Sequence, residues 1–243
     1  MFYRNRSDSE LYDPAFVSGM FDRMSKTYGF ANLITSFGFT SRWRRQCVYD
    51  LPSIHKSAVG FDLMSGMGES WIEIQKRIDS HGRIIAVDIS DEMNRKAGEH
   101  LKRLRNKNIE LRQLNILENN IPSESADFVV STFGLKTFNK EQQQTLAEEL
   151  ERILKPGGTF AFIEISEPNA LVLKWIYMFY LKIIIPTIGK IFLGNSADYK
   201  MLGKYCERFK NSKFFHKCLL ESNLKANYKN YFFGCASGVY GLK

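Results

Sequence analysis

The stretch VGFDLMSGMGESW, residues 59–71, constrains the fold more than any other part of the chain. A short apolar run carries a single acid, Asp62, turns through Gly66 and Gly68, and enters a helix-forming segment. Strand, glycine corner and helix in that order make the opening βα unit of a parallel sheet, and bare glycines let a ligand approach the backbone. The pattern then repeats. RIIAVDI reads as a second strand, and Ser90 caps the helix that starts at Asp91-Glu92-Met93. IELRQL, ADFVVSTFGL and TFAFIEIS read as three more strands, with a helix over 139–154 that stops at Lys155-Pro156-Gly157-Gly158. This alternation predicts an α/β fold: a mostly parallel, Rossmann-like sheet with helices on both faces and a ligand crevice at the carboxyl ends of its strands.

Both flanks are helical. From Asp13-Pro14, Phe16, Met20, Phe21, Met24 and Tyr28 fall on one helix face. A second helical stretch follows through FANLITSFGFTSRWRRQCVYDL, with Arg42, Arg44 and Arg45 around Trp43. Residues 171–193 are apolar, but Lys174, Lys182 and Lys190 recur through them and Pro186 breaks them. That is too much charge for a membrane-spanning helix and predicts an amphipathic helical insertion. Two short helices to about Ser222 and a closing β-hairpin complete the chain. The expected organisation is a single domain over 1–243: N-terminal helical lid (1–57), ligand-binding core (58–166), helical substrate insertion (167–223) and hairpin (224–243).

The corner is selective about its ligand. A dinucleotide fingerprint needs a third glycine, and Trp71 stands at that position. A phosphate-binding loop needs GKS or GKT, which is missing. What remains is Asp62, four residues before Gly66, and Asp88 at the end of the second strand, twenty residues after Gly68. An acid there accepts hydrogen bonds from two ribose hydroxyls. The set fits S-adenosylmethionine, with its cationic amino-acid end near Asp62, its ribose on Asp88 and its adenine against Ile89. Met93 is counted with this site, and Asn115 after the third strand is placed at the adenine edge.

The formal charge is +8, and it is unevenly spread. Residues 171–243 hold 12 Lys/Arg against 3 Asp/Glu, so the rest of the chain is near neutral. A basic third suits an anionic membrane surface, a nucleic acid or an anionic substrate; a solvated lysine-rich surface is the plain alternative. The segment after the fourth strand is Thr132-Phe133-Gly134-Leu135, not the NPPY type of nucleic-acid methylation, and no nucleic-acid partner is expected. The charged start MFYRNRSDSELYDP has no apolar signal core. The four scattered cysteines suggest neither zinc nor disulfides, and no metal site is expected. Together these place the chain in a reducing cytoplasm.

Across nearly its whole length the sequence resembles the UbiE-type ubiquinone/menaquinone-biosynthesis methyltransferases, within the class I S-adenosylmethionine-dependent fold. The segments that carry the likeness are MFDRMSKTYGFANLITSFGFTSRWRR, DLMSGMG, AVDISDEM, STFGLKTF, RILKPGG and ADYKMLGKY. The resemblance implies cofactor contacts at Ser65, Gly66, Met67 and Gly68, at Asp88, at Asn115-Ile116 and at Thr132. It also implies a homodimer. Three segments depart from the family pattern: Met67 replaces a threonine, Lys136-Thr137 replaces an Arg-Asn pair, and YGFAN lacks an acid.

Methyl transfer from a sulfonium is an in-line displacement that mainly asks for alignment and exclusion of water. For an aromatic carbon acceptor, an adjacent phenol must ionise. Lys136 is the candidate cation beside that phenolate, and Tyr28 the candidate for its proton. Tyr28 and Phe30 on the lid, with Trp175, Tyr177 and Tyr199 on the insertion, are candidates to enclose the acceptor, although aromatics at helical spacing are equally core material. The function expected is methylation of an apolar aromatic, in particular C-methylation of a polyprenyl quinol. The alternatives are O- or N-methylation of a natural product or phospholipid head group, and a non-catalytic scaffold subunit.

Overall fold

The structure is a computed structural model that describes residues 8–25, 38–104, 108–187 and 196–243. Seven strands form one sheet in the order β3-β2-β1-β4-β5-β7-β6. They are β1 (Val59–Leu63), β2 (Arg83–Asp88), β3 (Ile109–Gln113), β4 (Ala126–Thr132), β5 (Leu154–Ile165), β6 (Lys225–Tyr231) and β7 (Ala236–Leu242). The first five pair in parallel, while β7 is antiparallel to both β5 and β6. The chain runs outward from β1 through β2 to β3, then crosses back to β4 on the other side of β1. That reversal opens a crevice above the carboxyl ends of β1 and β4.

Helices α1 (Asp8–Leu11), α2 (Pro14–Met24) and α3 (Phe39–Asp50) precede the sheet, and α4 (Trp71–Gln75), α5 (Asp91–Leu104) and α6 (Lys140–Ile153) connect its strands. Helices α7 (Leu171–Phe179), α8 (Ser196–Phe209) and α9 (Lys213–Glu221) lie between β5 and β6. Both sheet faces are buried, which is why the parallel strands read as continuous apolar runs. Alternate residues serve opposite cores. Ile85, Val87, Val129, Phe160 and Phe162 pack with Leu146, Leu150 and Phe215 from α6 and α9. Ile84, Ala86, Phe128, Val130 and Ala161 pack with Trp43, Cys47 and Trp71 from α3 and α4. A third cluster joins Met20 and Met24 of α2 to Met93 of α5 and to Met201 and Tyr205 of α8.

The expected helix starts are present. Asp13 Oδ1 accepts from Phe16 N at 3.0 Å, with Pro14 at the first helical position. Ser90 Oγ accepts from Met93 N at 3.1 Å. Asn139 and Gln142 close a reciprocal capping box. Three segments differ from expectation. The helix expected after the glycine corner is short, ending at Gln75, because Arg77 turns its guanidinium onto the carbonyls that end α3 and Asp79 N bonds Lys56 O. Lys155–Gly158 belongs to β5, where the pairing register slips and Gly157 takes φ +77°. The insertion helix α7 continues through a wide π-type turn, Tyr180–Ile184, just before Pro186, which has no N–H to extend the helix. Of the second N-terminal helix, only Phe39–Asp50 falls within the described residues.

Candidate active site

The crevice is a cleft of about 870 Å³, counting its open mouth. The ends of β1, β2 and β4 and the loop after β3 form its floor, and α2 and the start of α3's arginine cluster form its roof. Local backbone chemistry sets its shape. Gly66 and Gly68 both adopt positive φ, +56° and +83°. A Cβ on Gly68 would lie 2.4 Å from the Trp71 ring, so the indole occupies the space below the corner. Trp71 in turn stacks on His100 at 5.4 Å. The residue at the missing third-glycine position therefore holds the loop from beneath.

Asp88 organises the corner. Its Oδ2 accepts from Gly66 N at 2.8 Å and its Oδ1 from Ser90 N at 2.9 Å. Burial pushes its carboxyl up to about 6, against the pull of these two backbone donors. Glu69 Oε2 accepts from Met67 N at 3.1 Å. Behind the wall lies Asp62, 1% exposed, whose Oδ2 has no hydrogen-bond partner among the described residues. Burial raises the Asp62 carboxyl to about 8, helped by Glu69 and Asp88 and opposed by Arg44. Arg44 comes from α3, lines the cleft over the Phe133 ring, and lies 3.7 Å from Glu69. Its buried Nε is likewise without a partner among the described residues. A buried carboxyl and a buried guanidinium thus stand near one end of the cleft, each with a polar atom that lacks a hydrogen-bond partner among the described residues.

The far wall is the turn after β4. Phe133 takes φ +67°, a conformation that costs a bulky residue energy and persists only where its surroundings demand it. Phe133 N bonds Ile163 O at 2.9 Å, and Thr132 Oγ1 bonds Ser70 Oγ at 2.9 Å. The roof is tied to the floor: Asp22 of α2 accepts from Ser90 Oγ at 2.6 Å and from Glu92 N at 3.1 Å.

A family model described as the ubiE/COQ5 methyltransferase family matches residues 8–243. The chain belongs to that family. It is 30% identical over 197 residues to the demethylmenaquinone methyltransferase of Lactococcus lactis, covering 81% of this chain and 77% of the relative. It is also 30% identical over 219 residues to the ubiquinone/menaquinone biosynthesis C-methyltransferase UbiE of Hydrogenovibrio crunogenus, covering 88% and 84%. Among solved structures, a SAM-dependent methyltransferase from Aquifex aeolicus superposes with a TM-score of 0.55 at 17% identity, covering 98% of this chain and 93% of that one. Human N-acetylserotonin methyltransferase in complex with SAM gives 0.59 at 16% identity, covering 90% and 57%. These two show the shared fold. The family member described here is an S-adenosylmethionine-dependent methyltransferase.

Of the residues singled out in the sequence, Ser65, Gly66, Asp88, Ile89, Met93, Asn115, Ile116 and Thr132 line the cleft of this methyltransferase. Asn115 Oδ1 accepts from Leu117 N at 3.1 Å, an Asx turn that shapes the loop after β3. Gly68 and Met67 support the corner without lining the cleft; Met67 packs toward the α2–α8 cluster, and its carbonyl faces His100 Nδ1 at 3.0 Å. Lys136 requires a correction. It is 3% exposed and does not line the cleft: its Nζ donates to Glu164 Oε1 at 3.0 Å and to Phe133 O. Glu164 Oε2 also accepts from Lys136 N at 3.0 Å. Low-dielectric surroundings draw the ammonium to this buried carboxylate rather than to the cavity. Trp175 is 72% exposed, and Tyr177 packs inward with its hydroxyl on Cys235 O, so neither encloses the cleft. Tyr28, Phe30 and the Tyr199 side chain lie outside the described residues.

Sequence reasoning missed Arg44, Glu69, Phe133 and Thr137 as lining residues. The arginine cluster around Trp43 was the available signal for the first. All four cysteines are buried and free. Among the described residues no group of His, Cys, Asp or Glu is arranged to hold a metal, and no helix is long and apolar enough to cross a membrane.

Proposed function

We propose that this enzyme moves the methyl group of S-adenosylmethionine to a ring carbon of a polyprenyl quinol or a similar apolar aromatic. The carrying observation is the cleft at the β1/β4 reversal, charged at the glycine corner and apolar toward Val17, Phe21 and Phe138. The names of the relatives in Lactococcus lactis and Hydrogenovibrio crunogenus support the same acceptor class. Asp88 takes the ribose hydroxyls with the lone pairs left by Gly66 and Ser90. Ile89, Met93, Asn115 and Ile116 flank the adenine, and Ser65, Gly66 and Thr132 line the path of the amino-acid end, with Met67 and Gly68 shaping the corner behind them. Asp62 lies behind the corner on the side of its ammonium and acts on it through the field of its carboxylate, and Arg44 faces its carboxylate.

When bound, S-adenosylmethionine supplies a methyl group already activated by a positive sulfur. The chain's remaining tasks are to align the acceptor carbon and keep water out. Tyr28 is proposed to handle the phenol proton, with Phe30 and Tyr199 closing over the acceptor. Lys136 acts as a positioning residue: through Glu164 and the Phe133 carbonyl it fixes the turn that carries Phe133, Gly134 and Thr137 into the wall. We further propose a cytoplasmic enzyme, a pair of identical subunits as the resemblance implies, and membrane contact through the basic C-terminal third.

The test is transfer from methyl-labelled S-adenosylmethionine to a short-chain demethylmenaquinol, with the product read by mass spectrometry and its fragmentation. The expected result is one methyl group on a ring carbon. Label on oxygen, or in a phospholipid head group, would favour the O- or N-methyl alternative. No binding of S-adenosylhomocysteine by calorimetry would leave only a scaffold role.

A further inference from the structure

Helix α7 and its π-type turn are apolar on both sides. The inner side is occupied: Met178 and Leu181 pack with Cys206, and Leu173 and Tyr177 join the core beneath β5 and β7. The outer side presents Leu171, Val172, Trp175 and Phe179 to solvent, with Leu171 83% and Val172 75% exposed. A helix that is hydrophobic all round needs a second apolar environment. A second exposed apolar element lies beside the start of α7. Pro168 and Asn169, just before α7, lie against the turn between β6 and β7, where a Cβ on Gly234 would stand 3.4 Å from Pro168 Cα. That turn carries Phe232 and Phe233 outward, 48% and 78% exposed, both with positive φ. Phe232 rests on the Phe39 ring, 4.5 Å between centroids, and Phe233 is left largely in water on a strained backbone, which implies a use for it.

Charge decides the occupant. From Leu171 to Ala197 the sequence has three lysines and no acid, and the C-terminal third as a whole carries nine positive charges in excess. Lys174 on α7 is ion-paired with Glu167 at 2.6 Å, and exposed Lys210 adjoins the helix start, with its carbonyl accepting from Glu167 N at 2.7 Å, so the excess positive charge is that of the C-terminal third as a whole rather than of α7. A second copy seated by two-fold symmetry would set this basic third against itself. An anionic lipid surface complements it, taking the apolar side chains into the acyl boundary and the lysines at the head groups.

We propose that the outer face of α7 and the Phe232–Phe233 turn form a docking surface for an anionic phospholipid membrane, with Trp175 and Phe233 inserted. The proposal rests on the reading that the acceptor is lipophilic, and the experiment separates the two. Trp43 and Trp71 are buried, so a change in tryptophan emission on adding vesicles reports Trp175. The full chain is mixed with phosphatidylcholine vesicles with and without phosphatidylglycerol, and flotation and emission are read together. Expected are flotation with phosphatidylglycerol vesicles and a blue shift of the emission. Phe233→Ser and Val172→Ser should each lower the partition coefficient about tenfold. Transfer to the short-chain quinol should be unchanged in both variants.

No flotation at low salt overturns the proposal. So does flotation without a blue shift that both variants retain, which would be adsorption by the lysines alone. Emission already blue-shifted without lipid and dependent on protein concentration would assign the face to a second copy and also overturn it. Loss of quinol transfer with vesicle binding intact would sink the acceptor reading and leave the docking surface standing.

Discussion

The glycine corner and the insertion helix are built on opposite plans. Around the corner, backbone N–H groups are fastened to half-buried carboxylates: Gly66 and Ser90 to Asp88, Met67 to Glu69, Glu92 to Asp22. In α7 the outer residues touch little, and the inner ones are held mainly by packing, with the Tyr177 hydroxyl donating to Cys235 O. Directional bonds fix a site to within a fraction of an ångström, as recognition of one cofactor requires. Apolar area without directional partners suits a surface that has no fixed atoms of its own. The difference separates what must be positioned from what must only be covered.

The largest effect should come from the wall behind the corner. Glu164→Ala leaves the Lys136 ammonium buried beside an empty site and should cost roughly 3–5 kcal/mol in denaturant unfolding. If the loss is under 1 kcal/mol, the turn after β4 is held by packing and the contrast with α7 weakens. Next is Arg44→Ala, which should weaken S-adenosylhomocysteine by about 1.5–3 kcal/mol in calorimetry. Binding of 5′-methylthioadenosine, which has no carboxylate, should be unchanged. Equal losses for both ligands would place Arg44 on the nucleoside instead.

The pH dependence sharpens the same point. The Asp62 carboxyl lies at about 8 in the fold against an ordinary 3.8, so the folded chain binds this proton more tightly than the unfolded one. Its contribution to stability is therefore greatest at low pH and declines as pH rises toward about 8. Asp62→Asn should flatten that decline. In the wild type, S-adenosylhomocysteine should bind with proton release below that pH, seen as a dependence of the calorimetric heat on buffer ionisation. A smaller effect is expected at Asp22→Ala, which uncaps α5 and should cost about 1 kcal/mol. Trp175→Ala should move stability by no more than about 0.5 kcal/mol, since its ring is largely in solvent. A larger change there would mean that α7's outer face is already covered.

The strands were legible because alternate residues feed two different cores, so Ile84 to Val87 and Phe128 to Val130 had to be apolar throughout. The acids at the ends of β1 and β2 were legible from their spacing to the glycines. Other features depend on partners distant in sequence. Lys136 finds Glu164 28 residues away, and nothing local says which way its side chain turns. Arg44 reaches the cleft from the helix before β1, so only the fold brings it to Glu69. Trp71 read simply as a missing glycine, although its ring is what requires Gly68. Regular lysines made 171–193 look amphipathic. In the structure Lys174 and Lys182 are drawn into ion pairs with Glu167 and Glu207, which leaves the apolar side chains outermost.

Asp22 carries a consequence for rates. It is part of the roof, yet its carboxylate is the acceptor for Ser90 Oγ and Glu92 N at the start of the helix that follows Asp88. Lifting α2 away from the sheet therefore strips a cap from α5 at the same moment. A cap is worth about 1 kcal/mol, and that is roughly a fivefold factor in the opening equilibrium. The dwell time of spent cofactor is thereby coupled to one carboxylate that need not touch it, and Asp22→Ala should shorten that dwell time even where it leaves the ribose contact intact.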